Sequence, residues 1–153
     1  MGVVVRIQVS QGGVPKRPVP RAVVGPLGIE GDAVAHPQVH GGPDRALCRF
    51  SEELIERFRS EGHPIQPGDL GENLLLRGID WSVLKAGDLL RIGAEVEIEL
   101  TKPTTPCAAI GRAFTGGDFS RIDPVKHPGE HRWYARVRRG GAIAEGDEVT
   151  VGS

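Results

Sequence analysis

The chain has 153 residues, 39% hydrophobic and 25% charged, with 22 Gly, 12 Pro and a formal net charge of −1. That length and apolar content suit one soluble globular domain with a single core, and the Gly and Pro content works against long helices. The near-neutral charge removes the electrostatic case for nucleic acid, and no apolar run is long enough to span a bilayer.

Residues 3–9 alternate as a strand, with Val3, Val5, Ile7 and Val9 on one face and Val4, Arg6 and Gln8 on the other. The N-terminus lacks a signal peptide's long apolar stretch and small-residue cleavage site, so the cytoplasm is the expected location and no membrane partner is expected. "VPKRPVPRAVV" reads as extended, because each Pro disfavours helix at itself and at its predecessor. "GPLGIEGD" is turn-rich, and "RALCRF" is a strand ending at Ser51. "SEELIERFRSEG" is the clearest helix. Ser51 is its N-cap, Glu52 and Glu53 suit its positive end, Leu54, Ile55 and Phe58 form its apolar stripe, and Gly62 stops it.

"PIQPGDLG" is a loop, "ENLLL" a short strand, and "LKAGDLLRIG" a turn and a strand. "AEVEIELT" predicts a half-buried strand, with Ala94, Val96, Ile98 and Leu100 inward and Glu95, Glu97 and Glu99 outward. "TGGDFSRIDPVKHPGEH" is long and irregular, and reads either as a lid over a site or as a disordered loop. "WYARVRR" and "DEVTV" are the last strands, separated by "GGAIAEG". Many short strands, Gly-rich turns and one clear helix predict a mainly β fold, a closed or nearly closed barrel. The absence of regular βαβ alternation argues against a doubly wound sheet.

Two cysteines, Cys48 and Cys107, make no disulfide framework, and both are expected as free thiols. In "TTPCAAIGRAF", Thr105 is a candidate N-cap, Pro106 fits the first helical position, and Cys107 falls in the first turn of a short helix. Backbone N–H groups there favour a thiolate, which is a nucleophile, a persulfide carrier and a soft metal ligand. The other reading of Cys107 is a small residue packed behind a strand. Cys48, mid-strand, reads as an inert core thiol.

His36 and His40, and His127 and His131, are spaced four apart, but Pro37 and Pro128–Gly129 interrupt both spans, so no dedicated zinc site is expected. His40 precedes Gly41 and Gly42, which allow a backbone to approach a ligand closely, and "GENL" sets Glu72 and Asn73 beside Gly71. Both stretches also read as tight turns. Residues 1–29 hold Arg6, Lys16, Arg17 and Arg21 with no acid, and residues 126–139 hold Lys126, Arg132, Arg136, Arg138 and Arg139 against Glu130. Together these make either a basic face for a phosphate-bearing small molecule or a solvated edge.

The ordered series "GVPKRP", "GIEGDAVAHPQVHGGPDRALCRFSEE", "PGDLGENLLLRGID", "KAGDLLRIGAEVEIELTKPTTPCAAI" and "WYARVRRGGAIAEGDEV" covers nearly the whole chain. It resembles the MOSC family, the C-terminal domain of molybdenum cofactor sulfurase, in its small stand-alone bacterial form. The resemblance implies a single MOSC domain over residues 1–153, built as a mostly antiparallel β-barrel with a few short helices. It implies a protein that binds the molybdenum cofactor (molybdopterin) or carries sulfur as a persulfide on Cys107, which would be the molybdenum ligand if cofactor is bound. The same residues also fit a molybdenum-dependent reductase of a small N-oxygenated substrate, or a non-catalytic delivery module for the pterin. Lys16, His40, Gly41, Gly42, Glu72 and Asn73 fall on its motifs as pocket candidates. Lys16, Arg17 or Arg21 would meet the phosphate of the anionic pterin, and His40 and Glu72 would position or exchange protons. PLP is not expected on this chain; a separate PLP-dependent cysteine desulfurase would be the sulfur-donating partner.

Overall fold

The computed structural model describes residues 2–12, 14–32 and 43–152. Its strands are β1 (Gly2–Val9), β2 (Arg17–Val19), β3 (Arg21–Gly25), β4 (Gly28–Ile29), β5 (Leu47–Ser51), β6 (Leu74–Arg77), β7 (Leu89–Ile92), β8 (Val96–Pro103), β9 (Trp133–Arg139), β10 (Gly141–Ala144) and β11 (Glu148–Gly152). One α-helix, α1 (Glu52–Ser60), and several short 3-10 turns complete the described elements.

The main sheet runs β11-β7-β8-β9-β5-β6-β1-β2, and a further β11–β1 pairing closes seven of these strands into a barrel. Every pairing in the ring is antiparallel except β5 with β6. Closure removes the exposed edges that an open sheet leaves for aggregation. β2 lies outside the ring, on the C-terminal half of β1. A second, three-stranded sheet is ordered β10-β3-β4.

Directly paired residues share a face, so the register can be followed round the ring. Val96, Ile98 and Leu100 are buried, with half-buried glutamates between them, which fixes β8's inner face. Leu100 pairs Ala135, Ala135 pairs Leu47, and Trp133 pairs Arg49. Arg49 pairs Leu74, Leu74 pairs Ile7, and Leu76 pairs Val4. Cys48, Phe50, Leu75 and Tyr134 therefore lie on the outer face, where loops and α1 cover them.

β1 departs from simple alternation. Gly2 and Val4 are buried and Val3 and Val5 half-buried, the reverse of the expected phase. A register shift between Val4 and Arg6 resets the phase, so Ile7 again points inward. Ala94 is exposed in the turn before β8 rather than inside the barrel. "GGAIAEG" is not only a connection, since Gly141–Ala144 pairs with β3 as β10. The segment read as a lid or a disordered loop is ordered. It forms 3-10 turns at Thr115–Gly117 and Phe119–Ile122 and docks on α1. Arg121 bonds Glu61 at 2.7 Å and Glu130 at 3.0 Å, and its guanidinium lies 4.3 Å from the Phe58 ring centroid. Arg57 also pairs with Glu130, and Thr115 Oγ1 donates to Gly62 O at 2.8 Å.

The helix matches its reading. The Ser51 side chain accepts from Leu54 N–H, acids fill the first turn, Arg57 and Arg59 lie in the last, and Leu54, Ile55 and Phe58 are buried. Ser51→Ala is expected to cost about 1 kcal/mol of unfolding free energy, read by urea denaturation. A change near zero would show that the cap bond adds nothing to stability.

Candidate functional site

A group of buried polar side chains comes from the end of β1, the segments preceding β2, β6 and β9, and the chain leaving β8. Gln8, Lys16, Glu72, Asn73, Thr104, His131 and Arg132 are all buried there. Asn73 joins two strands. Its backbone N–H donates to Cys48 O at 2.7 Å, its Oδ1 accepts from Cys48 N–H at 3.1 Å, and its Nδ2 donates to Gln8 O at 3.2 Å and to Asp32 Oδ2 at 2.7 Å. Asp32 Oδ1 also pairs with Lys16 Nζ at 2.8 Å.

Glu72 is fully buried. Its Oε2 accepts from Gly68 N–H at 3.1 Å, its Oε1 has no partner, and its carbonyl accepts from Gln8 Nε2 at 3.2 Å. Gly68 is required in this loop. Its φ is +92°, and a Cβ would lie 2.1 Å from Lys16 O. Arg132 ties the loops together, donating from Nη1 to Leu70 O at 2.6 Å and from Nη2 to Thr105 O at 3.5 Å, while its Nε has no partner.

Cys107 occupies the N-cap position of a six-residue 3-10 helix, Ala108–Ala113, with extended φ/ψ of −141° and 173° and no side-chain capping bond. The expected placement, Thr105 as cap and Cys107 in the first turn, is therefore corrected. Pro106 is buried, and the chain turns helical only after the cysteine. Cys107 is half-buried, whereas Cys48 is buried.

The two thiols have different surroundings. Burial pushes the Cys48 thiol up, Arg132 and Lys16 oppose this, Glu72 adds to it, and Thr104 Oγ1 stands 3.9 Å from its sulfur. Tyr134 is pushed up to about 12 by burial first, then by Cys48; Arg132 and Arg45 oppose and Cys107 adds. Both thiols, Arg132 and Arg45 thus act on one phenol, and the Arg45 guanidinium lies 5.7 Å from its ring centroid. Burial holds His131 below the usual imidazole range and raises the Glu72 carboxyl, the latter against the bond from Gly68 N–H and the charge of Arg132.

Of the residues singled out in the sequence, Lys16, Glu72, Asn73 and Cys107 fall in or beside this cluster. Arg17 and Arg21 are exposed on β2 and β3. His36, His40, Gly41 and Gly42 lie outside the described residues. From the second basic segment only Arg132 enters the cluster, while Arg136 and Arg138 pair with Glu99. Sequence reasoning missed Gln8, Asp32, Arg45, Thr104 and Tyr134. Cys48 is buried as expected, on the outer face of the barrel beside the polar cluster. Among the described residues, no group of three or more His, Cys, Asp or Glu is placed to hold a metal ion. No helix there is long and apolar enough to cross a membrane.

A family model described as "MOSC domain" matches residues 36–150. The chain belongs to the MOSC domain family. It is 32% identical over 122 residues to Protein YiiM of Escherichia coli (strain K12), covering 77% of this chain and 53% of that protein. It is 27% identical over 128 residues to a protein of Gibberella moniliformis named "Reductase", covering 81% of this chain and 22% of that protein. The chain thus spans about half of YiiM and about a fifth of the fungal protein. The solved structure of YiiM from Geobacillus stearothermophilus superposes with a TM-score of 0.79 at 22% identity, over 100% of this chain and 76% of that one, which shows the shared fold.

The raised Glu72 carboxyl gives a sign for pH dependence. An acid whose folded pKa lies above its unfolded value loses stability as pH rises above the ordinary carboxylate range. Glu72→Gln should therefore gain stability relative to wild type as pH rises above the ordinary carboxylate range, measured by urea unfolding. A pH-independent difference would mean that the carboxyl titrates normally.

Proposed function

We propose that this chain binds the molybdenum cofactor, with Cys107 supplying a thiolate to the metal. The observation that carries the reading is the sorting of the two thiols: Cys107 is accessible, and Cys48 is sealed in the cluster with its thiol pushed up by burial. A soft metal needs a thiolate that it can reach. The donor set also fits an anionic pterin. Arg132 and Arg45 supply positive charge near Tyr134, and Glu72 Oε1, Gln8 Oε1 and Arg132 Nε are buried polar atoms that the protein leaves unsatisfied.

When bound, the cofactor would supply two-electron redox chemistry at molybdenum. The chain's own residues would do the rest. Arg132 fixes the turn carrying Cys107 through the Thr105 carbonyl, and burial keeps Cys48 a thiol so that it does not compete for the metal. Burial raises the Glu72 carboxyl and so favours its protonated form. Lys16 neutralises Asp32, which orients Asn73. The fungal relative named a reductase supports a redox setting for such a module, and the substrate would be a small molecule.

The test is native mass spectrometry of protein purified anaerobically from cells that make the cofactor, wild type beside Cys107→Ser. The expected result is a molybdenum–pterin adduct on wild type, reduced at least tenfold in the variant. A one-sulfur adduct, removed by reductant and absent from Cys107→Ser, would instead assign a persulfide carrier charged by a separate PLP-dependent desulfurase. Bare protein in both samples would remove both roles and leave Cys107 as a packing residue.

A further inference from the structure

The inner face of the barrel carries a charge that none of the polar cluster explains. Arg49 is 0% exposed, and its position on β5 places it inside, with Leu47 and Leu74. Its Nε, Nη1 and Nη2 all lack partners. Directly across the β5–β9 pair stands Trp133, also on the inner face, whose indole Nε1 is buried and without a partner. Cross-strand neighbours of this kind have Cβ atoms about 5 Å apart. Two sets of N–H donors therefore leave neighbouring positions on the inner face, and neither has an acceptor. Ser51, the other polar residue on β5's inner face, is already engaged as the cap of α1.

A buried guanidinium is ordinarily paired, because removing an unpaired ion from water is costly. No carboxylate among the described residues acts on Arg49; burial and the neighbouring Cys48 are the influences on it. Burial pushes the guanidinium down to about 9, so it keeps its proton at neutral pH and must be balanced some other way.

We propose that the barrel interior is a built site for a small monovalent anion of the halide class, held by the Arg49 guanidinium and the Trp133 indole N–H. The charge selects a monovalent ion, since one cation balances one anion and a dianion would leave a net negative charge in an apolar lumen. The surroundings select a small spherical one. Leu47, Leu74, Ile7 and Ala135 line the neighbouring positions and offer no donors to the further oxygens of a phosphate or sulfate. The site lies on the face of β5 opposite Cys48 and does not depend on the reading of Cys107. It makes the anion part of the folded core rather than a substrate.

The experiment is equilibrium thermal unfolding of the full chain at fixed ionic strength, with gluconate replaced stepwise by chloride or bromide, on wild type, Arg49→Met and Trp133→Phe. Arg49→Met is expected to fold, because an apolar side chain of similar length replaces an uncompensated charge. Wild type should gain about 3 °C or more per tenfold increase in halide once the site begins to fill. The gain should vanish in Arg49→Met and shrink in Trp133→Phe. Crystals grown in bromide should show an anomalous peak within hydrogen-bond distance of Arg49 and Trp133 Nε1. Equal halide dependence in wild type and Arg49→Met, or ordered water without bromide at that position, would overturn the proposal.

Discussion

Asn73 supplies with its side chain the strand pairing that the backbone cannot supply where β1, β5 and β6 converge. Just before β6 begins, the Cys48 N–H and the Gln8 carbonyl face Asn73 in a buried region and have no backbone partner there. The Asn73 amide meets both, and its own backbone bonds complete the splice. An aspartate there could accept from Cys48 but could not donate to Gln8, and an alanine would leave both buried groups exposed to a desolvation penalty of about 1–3 kcal/mol each. The same amide also holds Asp32, and through it Lys16. The start of β6 and the polar cluster are therefore tied through one side chain.

From that junction the chemistry of the two cysteines separates. They act on the same tyrosine, yet one is enclosed by strands and loops while the other sits where the chain emerges from β8. Proximity to positive charge does not by itself make a reactive thiol. Arg132 and Lys16 both favour a Cys48 thiolate, and burial outweighs them. Access and solvation decide which sulfur is available, and the fold sets both.

The barrel was legible from the sequence where one face of a strand meets solvent. β8 shows this best, with its glutamates alternating against Val96, Ile98 and Leu100. β1 misled, because a bulge shifts the side-chain phase and leaves no mark in the local alternation. β10 was hidden for another reason: Gly141–Ala144 looks like a connection, and it becomes a strand only because β3 is beside it. In the candidate site, Cys107, Glu72 and Asn73 were visible through motif resemblance. Arg132 was visible only as one charge in a basic run, and nothing local separates it from Arg136 or Arg138, which pair with Glu99 on the outer surface. Lys16 was singled out through its motif, but its tie to Asp32 is a contact across sixteen positions that no local pattern encodes.

Ser51 both ends β5 and caps α1, so strand and helix share a residue and no linker separates them. The helix has no slack against the barrel wall. At its other end, Glu61 grips Arg121, and Arg57 with Arg121 grips Glu130, two residues before Arg132. The path from Ser51 to Arg132 is a stiff linkage, in which the barrel aims the helix, the helix aims the docked segment, and that segment delivers the arginine that braces the cysteine-bearing turn. Insertions between β5 and α1 would tilt the whole linkage, whereas added length at the exposed Gly116–Gly117 turn falls outside these ties. The site's precision is thus inherited from a surface element that never touches it.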